Sequence, residues 1–206
     1  NIEKEMNDVK IEYNLYENKR CDDRDELFKL GGYLGRSMAK YMYGIVQIGK
    51  NIICHAGLDY NLALKYNFDL SLMNKVLKAY LSGNLNNNDK KNETLKKSFD
   101  EIYGSEGLIW HRDIAYNEPS SCNNMQKTLD NLKILDDIGA ERMIVGHTLQ
   151  PNGIAQKCEN ETKRLWVIDV GMSDAFKINK KKIEYLVIEG DNKPEIKECE
   201  VLHKCN

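Results

Sequence analysis

The stretch Arg142-Met-Ile-Val-Gly-His-Thr148 joins an apolar run, a glycine turn and a histidine. The apolar run predicts a short buried strand, and Gly146 begins the turn that brings His147 to the carboxyl end of that strand. An earlier stretch, Asn51-Ile-Ile-Cys-His-Ala-Gly57, has the same outline, with His55 directly after the apolar residues. Ligand sites of open α/β sheets lie outside the carboxyl ends of their strands. We therefore expect one sheet to bring the two imidazoles to a shared edge.

Length and composition are typical of one folded domain. A chain of 206 residues is long enough to bury one core. Its 30 basic and 32 acidic residues nearly cancel, so charge gives no reason to expect a nucleic-acid partner. There is no run of about 18 apolar residues, so no membrane span is predicted. The six scattered cysteines form no C-x-x-C pair, which favours free thiols in a reducing compartment and hence a cytoplasmic location.

The rest of the chain shows a mixed helical and extended periodicity. Apolar residues at helical spacing predict helices over residues 27–40, 70–80 and 121–138. Apolar and alternating runs predict strands at 44–49, 52–54, 143–145, 164–169, 182–188 and 195–202. Residues 84–98 are rich in asparagine and lysine, and we expect a flexible insertion there.

The two strand-end histidines have a metal-binding interpretation and a simpler one. Neutral imidazole is a common metal ligand, and a strand end restricts its rotamers. A hydrolytic two-metal site places its ions about 3.5–4 Å apart and also needs carboxylate ligands. The turns near the histidines offer Asp59, Asp113 and Asp169. In the simpler interpretation, each histidine only hydrogen-bonds its own loop.

A third apolar run, Gly107-Leu-Ile-Trp-His-Arg-Asp113, also leads into polar residues. A guanidinium at this position is suited to gripping a phosphate through two parallel hydrogen bonds. Alternatively, Arg112 pairs with the adjacent Asp113. Asp169 has two interpretations as well, because it can orient a histidine ring or cap the turn at Gly171.

Several of these segments carry a family resemblance. Ile53-Cys-His-Ala-Gly-Leu58 resembles the histidine motif of calcineurin-like metallophosphatases. Met143-Ile-Val-Gly-His-Thr-Leu-Gln150 and Leu165-Trp-Val-Ile-Asp-Val-Gly-Met-Ser173 are similar to motifs of the Shewanella-like protein phosphatases in that superfamily. Leu108-Ile-Trp-His-Arg112 is similar to their Trp-x-Arg segment, and Glu5-Met-Asn7 resembles the residues after their Gly-Asn-His-Glu motif.

The resemblance implies an α/β fold, a metallophosphatase-like β-sandwich flanked by helices. It also implies two divalent ions (Mn, Fe or Zn) and hydrolysis of phosphomonoesters, from a phosphorylated protein or a small phosphoester. Carried over by position, His55 and His147 would be metal ligands and Arg112 would bind the substrate phosphate.

The family motifs Gly-Asp-x-His, Gly-Asp-x-x-Asp-Arg and Gly-Asn-His-Glu do not occur in this sequence. Residues 1–206 are therefore expected to be the C-terminal portion of one metallophosphatase domain, incomplete at its N-terminal side and inactive alone. Two alternatives stay open: a non-catalytic remnant or interaction domain of the same fold, and a diadenosine tetraphosphate-type nucleotide hydrolase.

Overall fold

The computed structural model describes residues 24–83, 89–116, 119–132, 139–158, 164–176, 182–190 and 192–200. The helices in these ranges are α1 (Arg24–Phe28), α2 (Tyr33–Tyr41), α3 (Tyr60–Lys65), α4 (Leu70–Leu81), α5 (Asp89–Tyr103) and α6 (Pro119–Asn131). The strands are β1 (Ile45–Ile48), β2 (Asn51–Cys54), β3 (Arg142–Val145), β4 (Ala155–Lys157), β5 (Arg164–Val167), β6 (Lys182–Val187) and β7 (Glu195–Glu200). Short 3-10 helices cover Asp113–Tyr116 and Asp174–Phe176.

The central sheet has the strand order β1-β2-β3-β5-β4. Its inner strands β2, β3 and β5 run parallel, while β1 and β4 are antiparallel edges. Parallel neighbours need a crossover connection, and the chain between β2 and β3 contains the α3, α4, α5 and α6 helices. The three parallel strands therefore end at the same edge of the sheet.

Side chains of the inner strands alternate between two cores. Ile52, Met143 and Leu165 are neighbours in register, and they pack into the larger core, which contains helical residues such as Met73 and Met125. The residues one position later pack on the other face of the sheet in a second apolar cluster, whose buried members include Ile144 and Trp166. This alternation follows from the two-residue repeat of a strand.

A β6–β7 hairpin covers that second face. Its residues Ile183 and Leu186 pack against the cluster that contains Trp166. The carboxylate of Glu184 accepts a 2.5 Å hydrogen bond from the backbone N–H of Ile154, next to β4. Two sheets thus face each other with helices outside, which confirms the predicted α/β sandwich for the described residues.

The structure divides one predicted helix and shows a helix in part of the predicted insertion. The helix predicted over 27–40 is broken into α1 and α2, because Gly31 adopts a φ of 71° that side-chain-bearing residues rarely accept. Of the predicted insertion at 84–98, residues 84–88 lie outside the described residues. Residues 89–98 belong to α5, so this part of the predicted insertion is helical, and its flexibility stays a prediction. Phe99 of this helix stacks on Tyr80 of α4 at 4.1 Å, which gives α5 a packed face.

The expectation of free cysteines is wrong for one pair. Cys122 of α6 and Cys158, just after β4, form a disulfide. Cys54 and Cys199 are free thiols, and the remaining two cysteines lie outside the described residues. Unpaired cysteines were the only reason to expect a reducing compartment, and this disulfide removes that reason. No helix in the described ranges combines the length and apolar character required to cross a bilayer.

Candidate functional site at the carboxyl edge of the sheet

The parallel strands bring the two predicted histidines together. Strand register aligns Cys54 with Val145, so the residues that follow them emerge at one edge. The backbone N–H of Gly146 donates a 2.8 Å hydrogen bond to the carbonyl of His55, which joins the two turns. The ring centroids of His55 and His147 are 5.0 Å apart. The expectation that one sheet carries both imidazoles to a shared edge is confirmed.

His147 is held in an unusual backbone conformation. Its φ is 61°, in the left-handed region that favours glycine. Such a conformation costs about 1–3 kcal/mol for a residue with a side chain, and functional sites often hold such residues. The ring nitrogen Nε2 of His147 is buried without a hydrogen-bond partner among the described residues. Buried polar atoms are usually hydrogen-bonded, so a buried imidazole nitrogen that no donor contacts can bind a ligand.

The surroundings of His147 lower its pKa and so favour the neutral form of its ring. Burial lowers the pKa of His147 most, and the positive charge of Arg112 and the neighbouring His55 lower it further. The carboxylate of Asp169 opposes this shift. Only a neutral imidazole binds a metal ion, because protonation occupies the lone pair.

Trp110 packs edge-on against His147, with ring centroids 5.3 Å apart and planes at 88°. Half of the tryptophan side chain remains exposed, so it forms a wall beside the imidazole rather than a lid over it. This contact was not foreseen from the sequence. The available signal was the position of Trp110 two residues before Arg112 in the quoted Trp-x-Arg segment.

Arg112 is exposed and acts electrostatically on His147. Within the described part of the chain it forms no salt bridge with Asp113, so the alternative of a neighbouring ion pair is not realised there. No salt bridge among the described residues occupies the guanidinium. Its phosphate-binding role stays a prediction.

The three predicted carboxylates have different positions. Asp59 caps α3 by accepting a 2.7 Å hydrogen bond from the N–H of Asn61. Asp113 lines a separate polar cavity. Asp169 accepts a 3.1 Å hydrogen bond from the N–H of Gly171, which is the turn-capping role, and its charge also reaches His147.

The donor set fits part of a metal site. His55 and His147 offer imidazoles at one edge, and Nε2 of His147 has no hydrogen-bond partner among the described residues. The adjacent thiol of Cys54 does not fit, because burial raises its pKa to about 12 and keeps it protonated. Two imidazoles do not complete a two-metal cage, which also needs carboxylate oxygens. The chain therefore places two potential ligands at this edge.

Comparison with known proteins places this arrangement among phosphatase folds. The structure superimposes on the cold-active protein-tyrosine phosphatase of a psychrophilic Shewanella species with a TM-score of 0.53 at 15% identity, covering 80% of this chain and 45% of that one. The chain is therefore a mixed α/β protein with part of that phosphatase fold. No protein-family model matches the sequence.

Sequence relatives agree with the structural likeness. The chain is 31% identical over 134 residues to Shewanella-like protein phosphatase 1 of Plasmodium berghei, covering 63% of this chain and 32% of that protein. It is 28% identical over 189 residues to the uncharacterized protein R398 of Acanthamoeba polyphaga mimivirus, covering 81% of this chain and 70% of that protein. The resemblance to Shewanella-like protein phosphatases is confirmed, and it spans about a third of the named phosphatase.

Proposed function

We propose that this chain contributes to metal-dependent hydrolysis of phosphomonoesters, with a phosphorylated protein as the substrate. The observation that carries the proposal is the pair of imidazoles 5.0 Å apart at the strand ends, where no described residue partners the buried Nε2 of His147. The phosphatase fold and the name of the Plasmodium relative support the same class.

Each residue at the edge has a distinct role in this proposal. His55 and His147 would hold a divalent ion, which when bound would supply Lewis-acid stabilisation of the charge that develops on a phosphoryl group. Arg112 binds the phosphate through paired N–H donors and neutralises part of its charge. Trp110 fixes the ring plane of His147 and excludes water from one side of it.

The 206 residues contain two of the ligands that the family resemblance implies and none of the three other motifs. We therefore expect these residues alone to bind manganese weakly and to show negligible turnover. The missing ligands would come from a longer reading frame, and an upstream Gly-Asp-x-His motif in that frame is required by the proposal.

The test uses the longest native reading frame that contains this chain. Hydrolysis of p-nitrophenyl phosphate with Mn²⁺ is measured for the wild type, His147→Ala, Arg112→Gln and the control Glu93→Gln. Removing a residue that hydrogen-bonds a metal ligand lowers metal affinity or activity about 10–100-fold. His147→Ala removes a ligand itself, so it is expected to lower the rate by at least that factor. Glu93 is exposed on α5 and should leave the rate unchanged. Wild-type inactivity, or full activity of His147→Ala, would exclude the proposal.

A substrate panel separates the phosphatase from the nucleotide hydrolase. We expect the active protein to cleave phosphopeptides faster than diadenosine tetraphosphate. The reverse preference would favour the nucleotide hydrolase, and no cleavage of either would favour a non-catalytic remnant.

A further inference from the structure

The segment Glu106–Asp113 serves two sides of the molecule. Trp110 contacts the ring of His147, and Arg112 acts on the same ring electrostatically. The residues between and after them, His111 and Asp113, line a different cavity of about 360 Å³. One short loop thus carries both the wall of the candidate site and the lining of a second space.

Backbone hydrogen bonds hold this loop in place. The N–H of Leu108 donates to the carbonyl of Ile102 at 2.7 Å, and the N–H of His111 donates to Gly107 at 3.1 Å. The carbonyl of Leu108 accepts from the N–H of Ala56, next to His55, at 2.7 Å. The cavity-lining side chains therefore project from a fixed backbone.

The cavity gathers one histidine and two carboxylates. Ligand atoms of Glu106, His111 and Asp113 all lie within 4.8 Å of one another. The Nε2 of His111 is 3.9 Å from the Glu106 carboxylate, too long for a hydrogen bond. Metal–ligand bonds of about 2.0–2.2 Å allow two ligands of one ion to lie up to about 4.4 Å apart. Small rotations of the exposed Glu106 and Asp113 would bring the set to that spacing.

His111 is the buried member of this group. Its side chain is only 7% exposed, and its Nδ1 has no hydrogen-bond partner among the described residues. A buried polar nitrogen without a partner is costly, and native structures usually pair such atoms. Asp59 adds a third carboxylate to the cavity lining, and none of the described lining residues is a lysine or an arginine.

We infer that Glu106, His111 and Asp113 bind a divalent first-row transition ion, such as Mn²⁺ or Zn²⁺. The mixed imidazole and carboxylate set suits these ions better than Ca²⁺, which takes six to eight oxygen ligands. The cavity offers further oxygens from Asp59 and from the hydroxyls of Ser120 and Ser121. The ion would link side chains of the loop that carries Trp110 and Arg112, and its binding does not depend on the proposed phosphatase activity.

The experiment uses the full 206-residue chain with His55→Ala and His147→Ala in every sample, so that the strand-end site contributes no binding. Mn²⁺ is the probe, because thiolates compete poorly for it, and free Mn²⁺ is counted by its electron paramagnetic resonance signal. One bound equivalent is expected. Glu106→Gln and Asp113→Asn should each weaken binding by about tenfold or more, and the exposed control Glu93→Gln should not.

A second readout protects the test from a folding artefact. In the same background, Mn²⁺ should broaden the imidazole NMR resonances of His111 at substoichiometric amounts. Absence of binding, equal binding by Glu106→Gln and its control, or an unbroadened His111 signal would each overturn the inference. Circular dichroism confirms that every variant retains its secondary structure.

Discussion

The two histidine groups of this molecule are built in opposite ways. His55 and His147 are 92 positions apart in sequence and meet because two parallel strands end together. Glu106, His111 and Asp113 come from eight consecutive residues of one loop. The first group therefore depends on the whole sheet, whereas the second depends on local turns. A change in the core should affect the first group through global stability, and a change in the loop should affect the second directly.

The largest effect is expected from a change in the sheet core. Leu165 is fully buried and lies in register with Met143. Leu165→Ala leaves a cavity and should lower the free energy of unfolding by about 2–5 kcal/mol. Urea denaturation followed by circular dichroism measures this loss. The control Ile196→Ala on the exposed side of β7 should stay within about 0.5 kcal/mol. Similar losses in both variants would contradict a core centred on the parallel strands.

A smaller effect is expected from a change in the loop. A Cβ on Gly107 would lie 2.1 Å from the backbone carbonyl oxygen of Ile102, so Gly107→Ala must move the loop. We expect a loss of about 1–3 kcal/mol and an altered near-ultraviolet circular dichroism spectrum from Trp110. The matched control is Gly139→Ala, where an added Cβ meets nothing within 4 Å. If both alanine variants unfold alike, the loop does not have the local rigidity described here.

The smallest effect concerns the pKa of His147. Burial and the charge of Arg112 lower this pKa, so the residue favours the folded state above the ordinary histidine pKa and destabilises it as the pH falls. Arg112→Gln should raise the pKa only partly, because burial is the larger cause. NMR titration of the His147 ring measures the change.

The control for this titration is Lys50→Gln, which removes a cation from the opposite end of β2. Lys50 lies five residue steps before His55 along the strand, about 16 Å at 3.3 Å per residue, and the ring of His55 is next to that of His147. A pKa that does not respond to Arg112→Gln, or responds equally to Lys50→Gln, would show that Arg112 is not electrostatically coupled to His147.

The site at the sheet edge was predictable because each of its two histidines follows an apolar run that can be recognised in the sequence. The distance between the two histidines depends on the fold. A buried apolar run followed by histidine indicates a strand end, and parallel pairing brings the ends of neighbouring strands to the same edge of the sheet. The exposure of Arg112 beside His147 also agrees with the segment that suggested it.

Other features could not be predicted from the sequence because they depend on tertiary packing. The cluster of Glu106 with His111 and Asp113 gives no periodic signal, since its residues project from an irregular turn. The bond between Cys122 and Cys158 depends on α6 and the end of β4 coming together across 36 positions. Spacing alone does not reveal such a meeting.

The most direct measurement is a crystal structure of the full chain soaked in Mn²⁺, with anomalous scattering used to locate the ion. We predict an anomalous peak within bonding distance, about 2.0–2.2 Å, of a ring nitrogen of both His55 and His147, absent in His147→Ala. A map with no peak at this edge of the sheet, or a peak that the His147→Ala variant retains, would contradict a metal site shared by the two histidines.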